Sequence, residues 1–111
     1  MAPSAEHLLA SLKGVPGVNH AAVFSRTGTL LSASLPPGLH GDTVAAMGAL
    51  VFGAAETLAT ELRTSVGSAT VGMGDGFLLL LNAGERGVAL VKTANAPDAQ
   101  LVSRLQDLLD Q

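Results

Sequence analysis

Three histidines, nine carboxylates and one glycine-rich pentapeptide are the residues in this 111-residue chain whose types could do chemistry. His7, His20 and His40 are widely spaced, and none has a second histidine at i+4 with a carboxylate alongside, so the ligand spacing of a zinc site is missing. Glu56 and Glu61 stand five residues apart and share no helix face. Asp107 and Asp110 belong to the solvated end of the last helix, so neither pair makes an acid–base couple. Ser25 and Ser32 sit in no nucleophile-elbow pattern. The chain has no cysteine, which excludes disulfides and thiolate catalysis. The pentapeptide GMGDG at 72–76 joins two predicted strands and opens no helix, and no GK[ST] sequence occurs, so it is a hairpin turn and not a phosphate loop. The expectation is a binding protein with no catalytic residues, no cofactor site and no metal site.

Bulk composition agrees with a binding role. Hydrophobic residues make up 48% of the chain and charged residues 14%, against roughly 25% charged in an average soluble domain. Part of the surface is therefore expected to be covered by assembly. The net charge is −3, and the six basic residues are scattered singly. Nucleic acid is excluded as a partner, because phosphate binding needs a clustered basic face. Aromatic content of 3% offers no platform for stacking bases. The N-terminal stretch carries an acid early and a lysine late, the reverse of a signal peptide, so the expected location is cytoplasmic. The length suits one domain, residues 1–111.

The elements that must present any binding surface follow from punctuation and periodicity. Ser4 caps a first helix with Leu8, Leu9 and Leu12 as its buried stripe, and Gly14 stops it. Residues 18–24 form a strand, SRTG turns at Gly28, and residues 29–34 return as a hairpin. LPPGLHG at 35–41 cannot continue a sheet, so it links to a long helix from Asp42 to about Ser65, with Asp42 as the cap. Strands follow at 66–73, 77–82 and 88–93. FLLLLN at 77–82 is apolar without alternation, which places it centrally with helices on both sides. The final helix starts at Asn95 or Ala96, with Pro97 in its first turn and Leu101, Val102, Leu105, Leu108 and Leu109 as its stripe, while Gln106 faces solvent. The order α-β-β-α-β-β-β-α is that of a mixed α/β (α+β) fold: a three-layer α/β/α sandwich on a five-stranded antiparallel sheet.

The long helix is too apolar for one covering role. Its uncharged run from Thr43 to Ala55 is 13 residues, against about 20 needed to span a membrane, so no span is expected. Val44, Met47, Val51, Leu58 and Leu62 recur at helical spacing and are expected to seat the helix on its sheet. Ala45, Ala46, Ala49, Leu50, Phe52 and Gly53 lie on the other side, where small residues would admit a second backbone. The segment VGSATVGM has no charge and no proline, so as an edge strand it lacks the usual guards against pairing. A homodimer joining the long helix and Ser68, Ala69, Thr70, Val71 and Gly72 to their own copies would cover both at once.

The pieces LLASLKGVPGVNHAAVFSRTGTLLSAS at 8–34, the Ala-rich helix, SATVGMGDGFLLLLNAGERGVALVKT at 68–93 and the closing amphipathic helix, in that order, resemble the roadblock family: roadblock-type dynein light chains and their MglB-like relatives. The resemblance covers essentially the whole chain. It implies a roadblock/profilin-like fold, pairing through the long helix and third strand, and a non-enzymatic regulator or scaffold for a Ras-like small GTPase, or an adaptor in a larger complex. Arg26 and Thr27 stand where many members carry an acid before the turn glycine, and His20 replaces a frequent small residue; these departures bear on partner choice. A small-molecule sensor is the other class of reading, and it expects a cavity with converging polar groups.

Overall fold

The computed structural model describes residues 4–111. Its elements are α1 (Ala5–Lys13), β1 (Val18–Phe24), β2 (Leu30–Ser34), α2 (Gly41–Glu61), β3 (Ser68–Met73), β4 (Gly76–Asn82), β5 (Val88–Thr93) and α3 (Ala99–Leu109), with a single 3-10 turn at Gly84–Arg86. All pairings are antiparallel, and the strand order is β2-β1-β5-β4-β3. This is the mixed α+β sandwich that the punctuation implies.

Strand alternation builds two cores. Ala21 and Val23 of β1, Leu79 and Leu81 of β4, and Ala89 and Val91 of β5 meet Leu8 and Leu12 of α1 and Leu105 and Leu109 of α3 on one face. The intervening residues Ala22, Phe24, Leu80, Val88 and Leu90 meet Ala45 and Phe52 of α2 on the other. FLLLLN is accordingly buried from both sides. β4 is second from the edge, however, and β5 takes the centre, because β1 pairs with β5 across the hairpins.

Three helix ends differ from their expected places. Asp42 lies within the first turn of α2, and the cap residue is His40, which makes no side-chain cap bond. α2 ends at Glu61, four residues early, because Arg63 adopts φ 59°. The Arg63 amide then bonds the Thr60 carbonyl and the Thr64 amide bonds the Ala59 carbonyl, the paired closure of a Schellman motif. α3 starts later than expected: Asp98 accepts from the Leu101 amide as its cap, leaving Pro97 outside. Gln106 also turns inward, donating to the Asn82 carbonyl at 3.3 Å.

Gly48 explains how α2 reaches the sheet. A Cβ there would stand 2.6 Å from Cζ of Phe24, so only glycine leaves room for the ring beneath the helix. The conformational cost of a mid-helix glycine, roughly 1 kcal/mol, is offset by that contact.

Candidate functional site

The two faces of α2 are largely the reverse of the sequence expectation, although Val44 does pack against the core as expected. Ala45, Gly48, Phe52 and Ala59 are its buried residues, at spacings of three, four and seven that form one stripe toward the sheet. Met47, Val51, Leu58 and Leu62, expected to seat the helix, are 52%, 44%, 61% and 68% exposed. Ala45 and Phe52, expected at a partner interface, lie fully buried in the chain's own core. The periodicity is real, but the inner stripe is Ala45, Gly48, Phe52 and Ala59, with Gly48 kept small because Phe24 fills the space beneath it.

The remaining positions divide between two flanks of the helix. Ala46, Ala49, Gly53 and Glu56 share one flank by their spacing. That flank looks toward the β1–β2 turn. Gly28 there, at φ +93°, is so close that a Cβ would lie 3.1 Å from the Ala46 Cα. Arg26 of the same turn reaches Glu56 at 3.5 Å. Gly53 has nothing of its own chain nearby. Leu50 stands on the outer crest, 65% exposed.

The opposite flank looks toward β3. Val44, Met47 and Val51 form one wall of a groove of about 330 Å³ whose other wall is Val71 and Met73 of β3 and whose floor is Leu78, Leu80 and Leu90. Register explains this: Ala69 faces Leu80 and Val71 faces Leu78, so alternate β3 residues turn to the α2 side. Ser68, Thr70 and Gly72 turn to the other face. β3 has only β4 as a strand neighbour. An apolar flank of a helix, an apolar groove and an unpaired neutral strand edge thus form one continuous surface.

By length and composition alone α2 could cross a membrane, with a mean hydropathy of 1.4 over its most apolar window. Its inner stripe is nonetheless packed on the sheet of its own chain.

Apart from the Lys92–Asp75 pair at 2.8 Å beside Met73, the polar contacts cluster away from this surface. Arg26 donates to the Gly84 and Gly87 carbonyls at 2.7 and 3.2 Å and to Asn82 Oδ1 at 2.5 Å. Asn82 Oδ1 also accepts from the Gly84 amide. Arg86 Nη2 donates to the Leu109 carbonyl, holding the end of α3. The sequence alone puts Arg26 at a surface position and gives it no partners; its partners lie 30 to 61 residues away, so no local pattern could show them. Among the described residues, no group of three or more His, Asp or Glu side chains could hold a metal ion.

Residues 4–93 match the family model described as the Roadblock/LC7 domain. The chain belongs to the Roadblock/LC7 family. Solved structures of similar fold include a Roadblock/LC7 domain from Streptomyces avermitilis, with a TM-score of 0.79 at 20% identity over 96% of this chain and 92% of that one. The gliding protein MglB from Thermus thermophilus aligns with a TM-score of 0.75 at 20% identity, covering 95% and 84%. Myxococcus xanthus MglB gives 0.77 at 18%, covering 92% and 90%. At these identities the likeness is one of fold. No curated protein matches the sequence. In this Roadblock/LC7 chain, α3 lies beyond the matched residues and is joined to the domain by Leu105, Leu109 and the Arg86 and Gln106 bonds.

Proposed function

We propose that this Roadblock/LC7 chain is a non-enzymatic homodimeric platform that binds a Ras-like small GTPase. Self-association uses the β3 side of α2, namely Val44, Met47, Val51, Leu58 and Leu62, together with the edge of β3. The observation that carries the reading is the continuity of that exposed apolar flank with the neutral, unpaired strand through the groove between them. A contiguous exposed apolar surface is the kind of feature that marks an interaction site. A two-fold contact covers the flank and the edge on both copies at once. The GTPase part rests on family membership and on the likeness to MglB. With no chemistry-bearing cluster on this surface, any effect on hydrolysis comes from positioning the GTPase's own groups.

Light scattering on the purified chain tests the first part: a mass of two chains is expected, and a monomer at all concentrations would sink it. The second part is tested by co-purification with small GTPases encoded in the same genome, loaded with a GTP analogue. Retention of one of them in the loaded form is expected; retention of none would overturn the partner assignment while leaving the dimer intact.

A further inference from the structure

Beside the groove under α2 lies a second hollow of about 380 Å³, bounded on one side by Leu35, Pro36 and Leu39 of the linker and on the other by Met73 at the end of β3 and Asp75 of the β3–β4 turn. Its floor is Leu78 and Leu90. At one end stand two basic side chains that the sheet makes neighbours, since His20 of β1 pairs with Lys92 of β5. The arrangement is an apolar body with polar groups gathered at one point, the usual build of a small-ligand site, at the low end of the usual size range.

Lys92 shows what the polar end accepts. Its Nζ holds the Asp75 carboxylate at 2.8 Å. Asp75 sits on a two-residue turn with its side chain 77% exposed, so an incoming carboxylate can reach Lys92 and must compete with Asp75 for it. An ammonium beside an imidazole, over leucines, complements one negative charge on an apolar tail. We infer that this hollow binds a small amphipathic carboxylate, its tail over Leu78 and Leu90 and its carboxylate on Lys92 in place of Asp75. The volume suits one small free molecule.

Decanoate below its micelle concentration serves as the probe, with amide chemical shifts of the full chain as readout and decanol as the neutral control. Saturable shifts are expected along β4 and β5 around Leu78, Leu90 and Lys92, and in the linker at Leu39. Lys92→Gln should weaken decanoate about tenfold, the usual worth of one charge-assisted contact, and leave decanol unchanged. Asp75→Asn should tighten decanoate several-fold, because it removes the competing carboxylate. Both substitutions sit at partly or largely solvated side chains, so folding is preserved and is checked by the unchanged remainder of the spectrum. The inference is overturned by an absence of saturable shifts, by equal binding of decanoate and decanol, by indifference to both substitutions, or by shifts confined to Leu50, Leu58 and Leu62. The hollow borders the proposed dimer surface, sharing Val44, Met73, Leu78 and Leu90 with the groove, but the two readings fail separately: a monomer that binds decanoate in this way sinks only the dimer.

Discussion

The sheet ends in two edges made of equally neutral strands, LLSAS in β2 and SATVGM in β3, and the fold treats them in opposite ways. β2 is in contact with both α1 and α2, although Leu31 and Ala33 stay exposed, and the linker at 35–40 runs from its end up to α2. Covering an edge with helices is one of the ordinary guards against strand pairing. β3 has no such cover and, among the described residues, makes its only extensive contact with β4. Two strands of the same chemistry therefore carry different liabilities, and the difference lies in where α2 sits. Centred over β2, β1 and β5, the helix shelters one edge and turns its apolar flank to the other.

The largest test of this comparison removes what holds α2 in place. Phe24 is fully buried, and its ring lies against Gly48. Phe24→Ala is expected to cost about 3–5 kcal/mol of unfolding free energy, measured by denaturant titration. A loss below about 1 kcal/mol would mean that α2 does not depend on this contact, and the account of the sheltered edge would fail.

The next test separates the two flanks of α2. Leu58→Arg puts a charge on the flank turned to β3 and should convert a dimer to a monomer by light scattering at micromolar concentration, with little change in monomer stability. Gly53→Arg, on the flank turned to the β1–β2 turn, should leave the mass of the assembly unchanged. The reverse outcome would restore the interface expected from sequence, built on Ala46, Ala49 and Gly53.

That reversal shows where sequence reading stops. Strand positions, the order of elements, the cap at Ser4 and the stripe of α3 are legible because each depends on residues within one or two turns of each other. β5 coincides with VALVKT, since both its ends are turns. The inner face of α2 is not legible. Both faces of that helix are apolar, so periodicity finds two stripes without ranking them. The choice is made by Phe24, far upstream of Gly48 in the chain, and by the approach of Gly28 to Ala46. The Arg26 contacts are hidden for the same reason. Membership of the roadblock family is legible because it rests on the order of the pieces and not on any one of them.

The two edges also differ in their ion pairs, and a smaller effect follows on the sheltered side. Arg26 ties the β1–β2 turn to Glu56 and to the loop after β4 through four acceptors. With its side chain 38% exposed, these bonds are partly replaced by water when removed. Arg26→Ala is expected to cost about 1 kcal/mol, read from the denaturation midpoint, without altering the mass of the assembly. A change in that mass would show that the sheltered flank also takes part in pairing.

On the open side the corresponding pair is Lys92 with Asp75, which joins the β3–β4 turn to β5, and its effect is the smallest of the set. The hydrogen bond from Lys92, and then its positive charge, hold the Asp75 carboxyl below its ordinary value of 3.8. A carboxylate favoured in the folded state adds stability that is present above the unfolded pKa and is lost as pH falls through the lower folded value. Asp75→Asn should therefore lower the denaturation midpoint slightly at neutral pH, and the gap from the native chain should close on acidification through the carboxylate range. Added salt should narrow the same gap, because the pair is solvated. A gap that persists in acid would assign the turn's position to packing and not to charge. The expected closing gap would mean that the charge on Lys92 holds only the tip of the open edge, through a screened contact, while the ladder with β4 fixes the register of β3.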